Sequence, residues 1–410
     1  MCASLGPHTG KKMITLIEAK NFRCLRDMVQ PLDAFQVLVG PNASGKTTFL
    51  DVIEFIGQLV SRGLEETISE RTQNFNDLIW GRGNGGFQLA IEATIPNDRR
   101  ALIYKNVDTI RYEVRLEMDP EAQEFGIKKE TLVLKSTAFA SNASQEELTV
   151  IKNIAHGFVQ FNSEVAHNTI KSFPPAFNIG RLKTGLGNLP EDETMYPATT
   201  WLKKLLKEGV QKIMLNSLAM RKASPPGKGT GFKPDGSNLP WVIHHLQQKH
   251  PELFADWIAH LQTALPEIVN IKTIERLDDR HRYLVLCYHG GLEVPSWMAS
   301  DGTLRLLALT LPAYMPGLTG IFLIEEPENG IHPRAVETIY QSLSSVYDAQ
   351  VLLATHSPVI LSLVKPSQVL CFTRTPEGET KIINGKNHPN LKEWKGETNL
   401  GVLFAGGVLG

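Results

Sequence analysis

At 410 residues the chain has room for about two or three domains. Its 42% hydrophobic and 21% charged content is that of a soluble globular protein with a sizeable core, not of a disordered or fibrous one. A formal net charge of −1 excludes a global pull toward nucleic acid or membrane, so any DNA contact needs a local patch. No apolar stretch reaches the roughly 18 residues of a membrane span. The longest candidate, Leu304 to Ile324, is interrupted by Arg305, Pro312, Pro316 and Gly317. The N-terminus has no signal-peptide pattern. Cys2, Cys24, Cys287 and Cys371 are far apart and make no metal-ligand spacing, so they read as reduced thiols of a cytoplasmic protein.

In chain order, residues 1–12 are expected to form a poorly ordered leader, with Met13 as a possible alternative start. Met13 to Ala19 alternates and predicts a strand, and Asn21 to Asp27 connects it to the next. Phe35-Gln36-Val37-Leu38-Val39 predicts a short buried strand. A glycine loop and a helix to about Leu64 follow, then a loop over 74–86. Phe87 to Ile95, Arg111 to Met118 and Glu130 to Leu134 predict an antiparallel patch. Residues 136–265 predict an inserted, mainly helical middle lobe, with helices over Trp201–Arg221, from Asp235 to about His250, and over Glu252–Leu265. This lobe has no sustained heptad pattern, which excludes a long coiled-coil arm. Tyr283 to Tyr288 predicts a strand, and Ser300-Asp301-Gly302-Thr303 caps a helix through Leu309. Gly320 to Ile324 and Gln350 to Ala354 predict strands buried on both faces, with a helix over Arg334–Tyr347 between them. Residues 13–135 and 266–410 then form two halves of one α/β head around the inserted lobe.

Gly40-Pro41-Asn42-Ala43-Ser44-Gly45-Lys46-Thr47 fits the spacing G-x-x-x-x-G-K-S/T. It follows a strand and opens a helix that begins with Thr48, the context a phosphate-binding loop requires. The glycines let successive backbone N–H groups point at one phosphate, and the helix start adds its positive dipole end. Lys46 can reach the outer phosphates of ATP, and the Thr47 hydroxyl can ligate Mg2+. Buried strands of an α/β sheet deliver their chemistry at their carboxyl ends. One delivers Glu325 and Glu326 there, the other His356. Of the two acids, Glu325 is assigned to the metal and Glu326 to the attacking water. His356 is assigned as a γ-phosphate sensor. Ser300 and Gly302, at a helix start, make a second anion site that would serve the nucleotide of a second subunit.

The order of these motifs resembles the ABC-type ATPase heads, within them the SMC, RecF and OLD branch, and most closely the AAA_21/AAA_15 group of predicted ATPases. The matching residues are Asn21-Phe22-Arg23, Gly40–Thr47, Asp235–Leu239, Ser300–Leu309, Glu325 to Pro333, and Thr355-His356-Ser357-Pro358. The resemblance implies an ABC-type P-loop head with a mixed central sheet, helices and an antiparallel β patch. It implies heads that dimerise, or assemble further, by sandwiching ATP. Glu326 is then the catalytic base, His356 the switch histidine, and Ser300 and Gly302 the signature residues facing the partner's ATP. Glu328 to His332 would lie at the head–head interface, and a metal-contacting glutamine is expected, with Gln88 as its candidate. The residues after His356 are too few for the Toprim nuclease domain of OLD proteins and carry no Asp-x-Asp motif. The expected role is therefore a sensor or scaffold controlling a separately encoded effector, a nuclease, in bacterial anti-phage defence. The alternative is a RecF-like DNA repair head. Its cue is a basic stripe of Lys203, Lys204, Lys207, Lys212 and Arg221 on the predicted Trp201–Arg221 helix, with Lys222 and Lys228 beyond.

Overall fold

The computed structural model describes residues 11–83, 85–119, 124–137, 147–155, 157–165, 176–227, 229 and 231–389. Most of the expected leader, the glycine-rich tail and Lys228 lie outside the described residues.

β1 (Ile14–Phe22) and β2 (Leu25–Pro31) form a hairpin, and β3 (Phe35–Val39) runs into the glycine loop and α1 (Lys46–Arg62). α2 (Leu64–Ser69) follows. β4 (Gly86–Thr94), α3 (Asn97–Arg100), β5 (Thr109–Asp119) and β6 (Glu124–Lys135) come next, then β7 (Glu147–Ala155), β8 (Phe158–Phe161) and β9 (Ala176–Asn178). Eight of these strands make one antiparallel sheet in the order β2-β1-β4-β5-β6-β7-β8-β9. The predicted antiparallel patch is thus much larger than its three legible strands, because β7, β8 and β9 from the middle segment extend it.

The rest of the middle segment holds α4 (Gly185–Asn188), α5 (Pro197–Lys204), β10 (Val210–Ile213), α6 (Ser217–Arg221), α7 (Leu239–Lys249) and α8 (Pro251–Gln262). The single helix expected over Trp201–Arg221 is therefore broken. α5 ends in a π-turn at Leu205–Gly209, and the chain then enters β10, which pairs in parallel with a later strand through Val210–Ile321 and Ile213–Ile324. Backbone contact decides this. A side chain on Gly320, at φ 122°, would lie 2.4 Å from the Gly209 carbonyl oxygen, so two glycines let the edge strand close on the sheet.

β11 (Ile268–Glu275), β12 (Arg282–Tyr288) and β13 (Glu293–Pro295) form a small antiparallel sheet. α9 (Asp301–Thr310), β14 (Gly320–Glu325), α10 (Pro333–Ser344), β15 (Ala349–Ala354), α11 (Pro358–Leu363), β16 (Val369–Arg374) and β17 (Thr380–Asn384) complete the chain order. The second large sheet runs β10-β14-β15-β3-β16-β17, parallel except for the last pair. Its strands alternate between two cores, as period-two side chains must. Leu38, Ile321, Leu323, Leu352 and Leu370 face α1 and the antiparallel sheet. Val37, Phe322, Ile324, Val351, Leu353 and Cys371 face α7, α8, α9 and α10. Burial on both faces explains the continuous apolar runs of β3, β14 and β15. Register then aligns their ends, with Glu325 opposite Ala354 and Ala354 opposite Leu38.

Candidate functional site

The aligned strand ends open into a cleft of about 640 Å³ lined by Asn42, Ala43, Ser44, Gly45, Lys46, Thr47, Thr48, Glu325, Glu326 and His356. Thus three segments far apart in sequence meet because β3, β14 and β15 are neighbours. Gly40 follows β3 at the base of the loop, and its carbonyl accepts a bond from Lys46 Nζ at 2.8 Å. The same ammonium donates to the Pro41 carbonyl at 3.0 Å. Burial pulls the Lys46 pKa below its ordinary value, and the carboxylates of Glu326 and Glu325 oppose that shift. The buried Ser44 hydroxyl has no hydrogen-bond partner. Gly45 adopts φ 105°, and a side chain there would sit 2.3 Å from Thr380 Oγ1. The Thr380 hydroxyl also donates to the Ser44 carbonyl at 2.9 Å, so β17 straps the loop from above.

Thr47 Oγ1 donates to Glu325 Oε2 at 2.5 Å. A hydroxyl and a carboxylate in contact suit Mg2+, a hard cation that favours oxygen ligands. Among the described residues no cluster of three or more His, Cys, Asp or Glu forms a metal site of its own. A metal here would rest on Thr47 and Glu325 together with oxygens of a bound phosphate. Glu326 sits at φ 47°, a backbone region costly for a residue with a side chain. Its carboxylate accepts from the Asn329 amide and lies 3.9 Å from His356 Nε2.

The Glu328 carboxylate is engaged within its own chain. Its Oε1 accepts from Thr355 Oγ1 at 2.7 Å and from the His356 N–H at 2.9 Å, while Oε2 is buried with no partner. It points into its own chain and pins the end of β15. The neighbouring Asn329, Gly330 and His332 are exposed.

Ser300 and Gly302 do not line the cleft. Ser300 caps α9 by accepting from the Thr303 N–H at 3.1 Å. Gly302 packs so closely on the loop after β14 that a side chain would lie 2.7 Å from the Gly330 carbonyl oxygen. Arg305 donates to the Asn329 carbonyl at 3.1 Å from the next turn. Gln88 does not line the cleft either. It lies within β4, paired with Lys20 and Arg115.

The cleft also holds residues that were not assigned to the site. Arg23, Asp77, Trp80 and Arg82 come from turns near the first sheet, and Arg374 and Glu377 from the β16–β17 hairpin. Arg23 is legible as part of Asn21-Phe22-Arg23, and its guanidinium meets Asp51 of α1 at 3.1 Å. Lys212 is the larger surprise, since its Nζ lies 3.1 Å from Glu325 Oε1. The basic stripe disperses accordingly. Lys203 is buried against the Leu189 carbonyl, Lys212 reaches Glu325, and Arg221 pairs with Asp301 at 2.7 Å.

Comparison with known proteins places this geometry. A family model described as "AAA domain, putative AbiEii toxin, Type IV TA system" matches residues 35–362. The OLD nuclease of Thermus scotoductus is 46% identical over 44 residues, which is 11% of this chain and 8% of that protein. The match thus spans less than a tenth of that relative's length. Among solved structures, an SMC head bound to the C-terminal winged-helix domain of ScpA superposes with a TM-score of 0.55 at 13% identity, covering 90% of this chain and 97% of that one. An SMC head with an extended coiled coil, bound to the C-terminal domain of ScpA from Pyrococcus furiosus, gives 0.52 at 13% identity, with coverage of 91% and 96%. At these identities the likeness is one of fold. No helix of the described residues is long and apolar enough to cross a membrane.

Proposed function

Because the chain belongs to the AAA_21 family of P-loop ATPases, we propose that it binds and hydrolyses ATP with Mg2+, that two copies close around the nucleotide, and that closure controls a separately encoded effector, a nuclease, in anti-phage defence. One observation carries the ATPase reading: the glycine loop, Glu325, Glu326 and His356 line a single cleft. The cleft's volume, its unpartnered Ser44 hydroxyl and the Lys46 ammonium resting on loop carbonyls all suit a triphosphate. The placement of Ser300 and Gly302 outside that cleft supports a second copy as their client.

ATP with Mg2+ supplies the phosphoanhydride bond that water cleaves. Lys46 exchanges two carbonyl contacts for phosphate oxygens, and the loop N–H groups orient them. Glu325 and Thr47 would hold the metal, which would neutralise phosphate charge there. Glu326, one residue beyond the strand, accepts a proton from the attacking water. His356 donates to the terminal phosphate and loses that bond on cleavage. A closed dimer that binds ATP better than the open one shifts toward closure when ATP is present.

Glu328 acts through His356 in this scheme. Glu328→Ala should lower turnover by about tenfold to a hundredfold, because the β15 end loses its anchor. Fluorescent-ATP affinity should stay within about twofold, since Glu328 does not line the cleft. A parallel loss of affinity would show that it does more than position His356.

The effector half of the proposal draws on the toxin–antitoxin description of the family and on the short match to a protein named as a nuclease. Purification from the native operon tests it: a neighbouring effector chain should co-purify. A chain that is isolated alone and cuts DNA itself would overturn it. The repair reading is the less supported, because its lysine stripe does not exist as one surface. Salt-dependent DNA binding by the isolated chain is the result that would revive it.

A further inference from the structure

We propose that Lys212 is a resident cation beside the cleft, a positioning residue that occupies the space between Glu54 and Glu325 and keeps a divalent metal from binding there before nucleotide arrives. This rests on the reading of the cleft as a nucleotide–metal site.

Lys212 lies on β10, the edge strand that the Gly209–Gly320 contact lets close on β14. Its Nζ sits 3.1 Å from Glu325 Oε1 and 3.5 Å from Glu54 Oε2. The other oxygen of Glu325 takes the Thr47 hydroxyl at 2.5 Å. Glu325 is therefore held at both oxygens, one by an ammonium and one by a hydroxyl, and the second oxygen alone faces Thr47. Glu54 follows Thr47 by two helical turns on α1 and so lies along the same face.

The side chain of Lys212 is 24% exposed, and burial works against its charge. Carboxylates of Glu54 and Glu325 flank it on two sides. The nearby Asp51 is already engaged by Arg71 at 2.6 Å and by Arg23 at 3.1 Å. Lys212 is the cation that answers Glu54 and Glu325 together. Two carboxylates bracketing one position are an arrangement a divalent cation also takes. An ammonium in that position offsets one of the two negative charges and fills the space an incoming metal would take. A metal that arrives on a triphosphate brings its own anionic oxygens and relies less on that space.

Manganese(II) serves as the probe, with its EPR signal read on nucleotide-free protein. The wild type should leave manganese largely free. Lys212→Met should bind it at least about tenfold more tightly, since a unit charge beside the site is gone. Lys212→Arg, which keeps the charge, should behave as wild type. Adding Glu54→Gln to Lys212→Met should abolish the gain. Lys212→Gln serves as the neutral variant if Lys212→Met fails to give a cooperative thermal transition. A folded neutral variant with wild-type manganese affinity, or an arginine variant that gains the site, overturns the proposal. Binding of a fluorescent ATP analogue in EDTA is measured on the same samples. A wild type that binds no nucleotide would defeat the reading of the cleft, while the manganese titration would still report on Lys212.

Discussion

Glu326→Gln should lower ATP turnover by about 10²–10⁴-fold, the range a positioned general base supplies. Glutamine keeps the shape and one acceptor oxygen, so the bond from the Asn329 amide can survive while the proton acceptor is lost. Nucleotide affinity should be retained, because Lys46, Thr47 and the loop backbone are untouched. If closure follows binding and opening follows hydrolysis, the variant should collect as an ATP-bound dimer, seen by size-exclusion chromatography with light scattering. The backbone sharpens the case. Glu326 is held at φ 47°, and Asn329 three residues on grips its carboxylate. Strain of this kind persists only where surrounding contacts enforce it. Turnover at the wild-type rate would remove Glu326 from the role of base. Glu325 would then have to be tested in its place.

Lys46→Ala should weaken ATP binding by about a hundredfold, equivalent to roughly 3 kcal/mol of charge-assisted hydrogen bonding. Lys46 is largely buried in the loop, and its ammonium already satisfies the Gly40 and Pro41 carbonyls. Removing it takes away the positive charge that faces the phosphates and leaves two carbonyls without their donor. The nucleotide-free variant should therefore also melt slightly earlier, by the worth of about one or two net hydrogen bonds. Equilibrium titration with a fluorescent ATP analogue gives the first number, and differential scanning calorimetry the second. The two variants separate cleanly. Glu326→Gln loses chemistry and keeps the ligand, whereas Lys46→Ala loses the ligand. Affinity unchanged in Lys46→Ala would mean that phosphates bind elsewhere than the glycine loop.

Local patterns made the head's skeleton readable. The runs Phe35–Val39, Gly320–Ile324 and Gln350–Ala354 are buried on both faces, and they lead to the glycine loop, Glu325 and His356 of the cleft. Glycine spacing marked the loop, and the Ser300 cap marked α9. Pairwise geometry was not readable. The strand β10 has only four residues and continues a helical pattern, so Lys212 looked like one more surface lysine. Nothing local announces that Val210 will pair with Ile321. Glu328 fell among interface residues by its place in a motif, yet its carboxylate turns inward to Thr355 and His356. Residues of the cleft rim, such as Trp80 and Arg374, sit on turns whose destination depends on the packing of both sheets. Motif spacing reports what a backbone segment can do, and long-range contact decides which side chains join it.

The position of β3 in its sheet bears on how the protein is made. β3 and the glycine loop emerge early from the ribosome, but their neighbours β15 and β16 come from the far end of the chain, and the Thr380 strap later still. At typical elongation rates that interval is roughly tens of seconds. Throughout it the apolar faces of β3 have no sheet to join, so the nascent chain must shield them by other means or by chaperones. A ribosome-bound fragment ending before Thr380 would carry the whole glycine loop and still lack the Thr380 bond to it. The glycine loop is thus fully enclosed by its neighbouring strands only when the last part of the chain has been made.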